Sequence, residues 1–342
     1  GGTGFIGRHL IQKLLARPGT IHVLVRKSSK DKFDALLAQM GFDPKRVVAV
    51  YGDLGKPRLG LSPTQVKQLA GKVKHLFHLA AIYDLTADEE SQIRANVDGT
   101  KHAMQLGVAV KAGCFHHVSS IAAAGLYPGV FKEDMFDEAE GLDDPYFRTK
   151  HDSEGMVRRE YPRPYRIYRP AIVLGHSQTG EIDKIDGPYY FFRLIKRMRA
   201  LLPQWVPTIG IEGSRLNMVP VDYVADAMDW IAHKPGLDGH CFHLTDPAPQ
   251  RVGEALNTFA RAANAPQMTM RVDARMFAFV PPMVRGAIFN LPPVKRFTNM
   301  MLRDLGIPRQ VLKYINYPTR FDSRETERAL KGEINFVNAK RK

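Results

Sequence analysis

Cysteine is scarce in this 342-residue chain, which holds two, Cys114 and Cys241, against 44% hydrophobic residues. Two distant thiols without metal-ligand spacing exclude a disulfide framework and a cysteine metal site, and they make a reducing, cytoplasmic compartment the default. No apolar run approaches the ~18 to 20 residues that cross a bilayer, and no basic leader precedes an apolar signal region, so a soluble protein is expected. Acidic residues are the scarcer charge, 35 against 49 lysines and arginines, and the formal net charge of +14 favours anionic partners such as phosphate-bearing ligands or acidic membrane surfaces. Nucleic-acid recognition motifs are lacking, so no nucleic acid is expected as a partner. Internal repeats and low-complexity segments are also missing, which leaves a globular chain long enough for one large α/β domain or two lobes.

What is present starts at the first residue. In Gly1-Gly2-Thr3-Gly4-Phe5-Ile6-Gly7, glycine at Gly1, Gly4 and Gly7 lets the backbone turn tightly, approach a pyrophosphate and open a helix whose N-terminal dipole faces the anion. Turns and caps use glycine too, so the loop alone is a weak signal. Its context adds weight: Ile6, Leu10, Leu14 and Leu15 recur at helical spacing, and Ile21-His22-Val23-Leu24-Val25 follows as an apolar strand. Gly1, Thr3, Gly4, Phe5, Ile6 and Gly7 are therefore candidate cofactor-binding residues. A dinucleotide-binding loop leaves a buried parallel strand, so a strand is expected immediately ahead of Gly1 and the chain is read as N-terminally incomplete.

The alternation of strand and helix continues. Phe33, Leu36, Leu37 and Met40 repeat with helical period, residues 47–50 form an apolar strand ending at Gly52-Asp53-Leu54, and Ser62-Pro63 has the form of an N-cap followed by proline at the first helical position. Residues 75–79 read as a strand ending at Ala80-Ala81, 89–111 as one long helix, 114–118 as a strand, the segment from Tyr146 as a helix, and 165–169 as a strand before Pro170. Beyond Gly175 a basic helix is expected over 189–202, a strand over 216–221, a helix over 224–232 and a strand over 241–244. From Pro247 onward helical periodicity is broken by Pro281-Pro282, Pro292-Pro293 and Pro308, which predicts short helices. The expected class is α/β: a Rossmann-type doubly wound parallel sheet over residues 1–175, completed by segments within 216–245. A smaller, mostly helical C-terminal substrate lobe is expected from 176–215 and 246–335, followed by a polar tail at 336–342.

Tyr146 and Lys150 stand one helical turn apart, so the ammonium can sit near the phenol and lower its pKa from ~10 towards neutrality, making tyrosine usable as an acid. Ser119 and Ser120 stand at a strand end, where a hydroxyl can hydrogen-bond the oxygen that turns anionic when a carbonyl accepts hydride. A tyrosine before a lysine, or a serine pair at a turn, is commonplace singly. Their joint occurrence after a glycine loop points to a nicotinamide-dependent reductase with Ser120, Tyr146 and Lys150 as candidate catalytic residues. An acidic residue about 20 positions after the loop would bind the free ribose hydroxyl of NAD, whereas arginine accommodates a 2′-phosphate. Here Arg26-Lys27 favours NADPH, with a solvated basic turn as the plainer reading. His75 and His78, three apart on a strand, point to opposite faces, so no metal site is expected. Cys114 lies at the far end of its strand from Ser120 and is expected simply to pack.

Through these motifs, together with Asp53-Leu54, Leu79-Ala80-Ala81, Asn96-Val97 and Arg169-Pro170, the sequence resembles the extended short-chain dehydrogenase/reductase family over roughly residues 1–245. The resemblance selects Ser120 over Ser119, by register with Gly125, although Ala124 stands where that family usually has tyrosine. It also implies that Asp53 and Leu54 approach the adenine, that Leu79, Ala80, Ala81 and Asn96 belong to the cofactor site, that Lys150 contacts the nicotinamide ribose, and that Pro170 lies beside the nicotinamide. Over almost the whole chain, the stretches 116–125, 146–151, 186–192 and 316–322 are similar to bacterial fatty acyl-CoA reductases of the wax-ester and fatty-alcohol type. That likeness implies a fatty acyl-CoA or fatty aldehyde substrate and a second reductase module, covalent or associated, beginning near where this chain stops.

An apolar set, Met276, Phe277, Phe279, Val280, Met283, Val284, Ile288, Phe289, Leu291 and Val294, suits a long acyl groove, with ordinary core as the plainer reading. Arg193, Lys196, Arg197 and Arg199 suit coenzyme A phosphates or weak peripheral membrane contact, or are merely solvated. Two rival functions remain open: an extended-family enzyme acting on a hydroxysteroid-, flavonoid- or nucleotide-sugar-like substrate, and a non-catalytic NADP-binding sensor or scaffold.

Overall fold

The periodicities at the start of the chain become a helix and two paired strands. Helix α1 (Phe5–Leu14) buries Leu10 and Ile11, and β1 (Ile21–Val25) buries Val23 and Val25. Helix α2 (Lys30–Met40) presents Phe33 and Leu37 and ends at Gly41 in the left-handed region, φ 65°. Strand β2 (Val47–Tyr51) then pairs with β1 in parallel, Ile21 opposite Val47. Ile11, Val23, Val25, Phe33, Leu37 and Val47 close one apolar cluster across these four elements.

The computed structural model describes residues 1–80, 88–183, 187–273, 292 and 316–334. Helix α3 (Pro63–Leu69) starts as the sequence predicts, with Ser62 and Gln65 forming a reciprocal capping box. Strand β3 (His75–His78) precedes α4 (Glu89–Gln92), a π-helical segment Ile93–Asp98 and α5 (Gly99–Ala109). The single long helix expected over 89–111 is thus broken in register by a π turn, which periodicity alone does not signal. Next come β4 (Cys114–Val118), β5 (Gly129–Phe131), α6 (Pro145–Glu160), β6 (Tyr165–Pro170) and β7 (Ile172–Leu174). After them follow α7 (Phe192–Leu201), β8 (Thr208–Glu212), β9 (Met218–Pro220), α8 (Val221–His233), β10 (Cys241–Leu244), α9 (Val252–Ala262), β11 (Met268–Asp273), β12 (Thr319–Phe321) and α10 (Arg324–Leu330).

Four strands form a parallel sheet in the order β10, β6, β4, β3. Adjacent residues on a strand face opposite sides. Ile167 and Cys241 enter the cluster containing Met104, Leu106 and Val157 of α5 and α6, while Tyr168 and Phe242 enter the cluster containing Leu10, Val224 and Met228 of α1 and α8. Helices therefore cover both faces, which is the doubly wound α/β arrangement expected from the strand and helix alternation.

Contacts divide the chain into two units: Gly1–Asp183 with Met218–Pro247 and Thr319–Lys342, and Lys184–Asn217 with Ala248–Pro318. In the second unit β8 and β11 pair in parallel, and Ile195, Ala260 and Ala265 are buried together. The strand β11 is a departure from the helical pattern expected beyond Pro247. A further departure concerns residues 319–330, which the sequence reading assigns to the second lobe. Strand β12 pairs in parallel with β5, and Glu133, just after β5, accepts hydrogen bonds from the backbone N–H groups of Glu325 and Thr326 at the start of α10, so this segment belongs to the first unit. The apolar residues named between Met276 and Val294, and the tail 336–342, lie outside the described residues.

Candidate active site

The glycine loop is held by close backbone approach. Gly4 N–H donates to the Gly1 carbonyl at 3.0 Å, and Arg8 N–H to the Gly4 carbonyl at 3.0 Å, which opens α1 with Gly4 as N-cap. A Cβ on Gly1 would stand 2.5 Å from the Leu79 carbonyl carbon, and one on Gly7 would stand 2.6 Å from the Gly2 carbonyl oxygen. A Cβ on Gly2 would meet Val23 at 2.9 Å, so the loop sits against β1 on one side and the end of β3 on the other. Thr3 is exposed, Phe5 is partly buried beneath the Arg8 guanidinium, and Ile6 packs on the core. This cradle of close-packed backbone at a helix N-terminus fits a dinucleotide pyrophosphate.

The other cofactor candidates stand at the carboxyl ends of parallel strands. Arg26 and Lys27 follow β1 and are exposed. Asp53 follows β2, its carboxylate accepting the Gly55 N–H at 3.0 Å, while Leu54 packs beside Gly99 and its carbonyl meets His102 at 2.8 Å. Leu79 and Ala80 follow β3, Pro170 ends β6 in a buried position, and Ala81 lies outside the described residues. In open α/β sheets this edge is where ligands bind.

Helix α6 begins where Asp144 accepts the Tyr146 N–H at 3.0 Å and Pro145 occupies the first turn. It carries Tyr146, 7% exposed, and Lys150, 5% exposed, and it packs on the turn Ile121–Ala124 that Ser120 opens. Lys150 Nζ donates to the Val118 carbonyl at 3.4 Å, and His151 meets the Ala123 carbonyl at 3.1 Å. These contacts bring Lys150 to the carboxyl end of β4, which the half-buried Ser120 follows, and seat α6, with Tyr146 in its first turn, against the turn after it. Burial pushes the Lys150 ammonium down to about 8, with the Glu154 carboxylate acting in the opposite direction. Asn96, 2% exposed in the π turn, donates to Thr149 Oγ1 at 3.1 Å, and so ties that turn to α6 between Tyr146 and Lys150.

The two serines differ in their partners. Ser119 donates to Glu154 Oε2 at 2.7 Å, whereas Ser120 Oγ accepts the Ala122 N–H at 3.2 Å. Glu154 and Arg169, both fully buried, pair at 2.6 Å. Sequence reading gave neither residue a role, although Glu154 follows Lys150 by one turn and Arg169 precedes Pro170. Ala124, where tyrosine was expected from the resemblance, is fully buried beneath α6. His75 bonds to His116 at 3.0 Å and His78 to Thr100 Oγ1 at 3.0 Å, and the Cys114 thiol is pushed up to about 12 by burial.

With this geometry in place, the family comparison becomes decisive: a model of the NAD-binding family described as male sterility protein matches residues 1–228. The chain belongs to the male sterility protein family. Relatives of this male sterility family chain include the nonribosomal peptide synthetase FrzA of Cladobotryum, 30% identical over 78% of this chain and 28% of that protein. Another is the L-2-aminoadipate reductase large subunit of Penicillium chrysogenum, 30% identical over 78% of this chain and 21% of that one. The chain thus spans less than a third of these proteins. Among solved structures, the terminal R domain of the myxalamid biosynthetic pathway matches with a TM-score of 0.74 and 25% identity, over 97% of this chain and 83% of that one. Family and fold together make this male sterility family member an NAD-binding α/β module similar to the reductase domains of larger proteins.

Proposed function

We propose that the chain performs NADPH-dependent reduction of a long-chain fatty acyl carbonyl, presented as a fatty acyl-CoA thioester or as a fatty aldehyde. What supports this reading is the burial of Tyr146 and Lys150 on α6, a helix that packs on the turn opened by Ser120 and whose Lys150 ammonium donates to the Val118 carbonyl at the end of β4. The nicotinamide, when bound, supplies hydride. Ser120 then polarises the carbonyl oxygen, Tyr146 donates the proton that this oxygen takes up, and Lys150 stabilises the phenolate left behind and holds the ribose. Arg26, exposed at the end of β1, supplies the positive charge that suits a 2′-phosphate. Leu79, Ala80, Asn96 and Pro170 shape the cofactor site, and Asp53 and Leu54 adjoin the adenine.

The fatty substrate rests on the resemblance of residues 116–125, 146–151, 186–192 and 316–322 to fatty acyl-CoA reductases. A second reading is favoured by the likeness to a terminal R domain of a PKS-NRPS pathway and to the nonribosomal peptide synthetase FrzA. On that reading the acyl group arrives as a thioester on a carrier module, and the partner is that module rather than free coenzyme A. Initial rates with NADPH and matched substrates decide between them: a long-chain acyl-CoA, the corresponding aldehyde, a carrier-bound acyl thioester and a cyclic ketone. Turnover of either free fatty substrate supports the first reading. Turnover of the carrier-bound thioester alone supports the second, and turnover of the ketone alone removes both.

A further inference from the structure

The catalytic helix carries a third buried polar residue at the same spacing. Glu154 follows Lys150 by four positions, so both lie on one face of α6, and Glu154 is fully buried. All of its oxygen capacity is directed. Oε2 accepts from Ser119 Oγ at 2.7 Å and from Arg169 Nε at 3.0 Å, while Oε1 accepts from Arg169 Nη2 at 2.6 Å and from Arg158 Nε at 2.8 Å. Arg169 is fixed in turn by the Met135 carbonyl at 2.9 Å and by His243 Nε2 at 3.1 Å. A buried ion pair contributes little net stability once its desolvation is counted, so its presence one turn from Lys150 invites a functional account.

We propose that Glu154 is a positioning residue for the Ser120–Tyr146–Lys150 site: its carboxylate fixes Ser119 and thereby aims the adjoining Ser120, and it sets a negative charge one helical turn from the buried Lys150 ammonium. The proposal rests on the reductase reading above. Among the described residues, the groups that act on or adjoin Lys150 include His78 from β3, with the N-terminal amine acting on the same histidine, His117 and the Val118 carbonyl from β4, Glu154 from α6, and the uncharged Asn96 from the π turn, which reaches the adjoining Thr149. Burial holds both histidines in the neutral form, so Glu154 is the anion in this set. Burial opposes ionisation of Glu154 itself, but the charge and hydrogen bonds of Arg169, followed by Arg158 and Ser119, hold its carboxyl well below the usual range.

The test is Glu154→Gln, Glu154→Asp and Ser119→Ala in the purified protein. It reads kcat, KM and the pH profile of NADPH-dependent reduction, together with the 13Cε titration of Lys150. Glu154→Gln is expected to lower kcat about tenfold or more, as misplacement of a reacting group does, and to move both the alkaline limb and the Lys150 titration to lower pH. Glu154→Asp should return the limb towards its wild-type position, and Ser119→Ala should lower kcat with the limb unmoved. The lysine titration is independent of turnover, so it separates failure of this proposal from failure of the reductase reading. A folded Glu154→Gln protein with wild-type kcat and wild-type Lys150 titration overturns the proposal. If Glu154→Gln does not fold, Ser119→Ala decides: reduced kcat at unchanged KM supports the aiming role, and wild-type kcat overturns it.

Discussion

At the scale of single residues, chemistry was legible where side-chain type and spacing coincide. Tyr146 and Lys150 read as a pair because one helical turn separates them, and the structure places both, nearly fully buried, on α6. The division between Ser119 and Ser120 was less legible from the residues alone, because it depends on Glu154, which is 35 positions along the chain from Ser119. Arg26 makes the sharpest single-residue prediction. If its guanidinium meets a 2′-phosphate, Arg26→Asp removes a favourable charge and adds a repulsive one, and a charge-assisted contact of this kind is worth about 1.5 to 3 kcal/mol. NADPH affinity should therefore fall more than tenfold while NADH affinity is kept or improved. Paired fluorescence titrations measure this, and an unchanged ratio of the two dissociation constants would contradict the NADPH assignment.

At the scale of elements, β2 announced itself through the apolar run Val47–Tyr51, while β4 (Cys114–Val118), buried along its whole length, was legible despite His116 and His117 within it. The pair β8 and β11 was not legible: Thr208–Glu212 and Met268–Asp273 mix polar and apolar residues and lie far apart in sequence, so nothing local marks them as partners. The π turn at Ile93–Asp98 was hidden for another reason, because one extra residue in a helix leaves the local composition unchanged. Its contact with α6 runs through Asn96 and Thr149, buried polar groups that satisfy one another. Asn96→Ala should lower unfolding free energy by about 1 to 3 kcal/mol, the cost of stranding a buried partner; urea denaturation measures it, and an unchanged midpoint would show that the bond contributes nothing. The glycine loop gives the second element-scale prediction. Gly7→Ala drives a methyl group into the Gly2 carbonyl, so the loop must shift, and NADPH affinity should fall about tenfold or more, equivalent to 1.4 kcal/mol. A Gly7→Ala protein with wild-type affinity would remove the loop from the cofactor site.

At the scale of the whole molecule, the doubly wound sheet could be read from the order of its elements, whereas the return of Thr319–Phe321 to pair with β5 could not, because it joins segments almost 190 residues apart. Whole-molecule stability carries a clear pH signature. Burial, aided by His233, pushes His75 down to about 4, and burial pushes His117 and His243 down to about 3; His78 and His116 are also lowered, chiefly by burial. In the unfolded chain these groups take up protons near 6.5, so between that value and their folded values the unfolded state binds more protons. Stability should therefore be lost as pH falls below about 6.5, each histidine contributing up to about 1.4 kcal/mol per pH unit. Urea midpoints measured between about pH 7 and about pH 5 check this, and a flat profile would contradict it. The central claim is that Tyr146 delivers the proton during reduction of an acyl carbonyl, and its most direct test compares wild type with Tyr146→Phe in NADPH oxidation driven by a long-chain acyl-CoA or aldehyde. Turnover should fall by about 10² to 10⁴, the usual worth of a positioned acid, with NADPH binding intact; a folded variant retaining wild-type turnover would contradict the account.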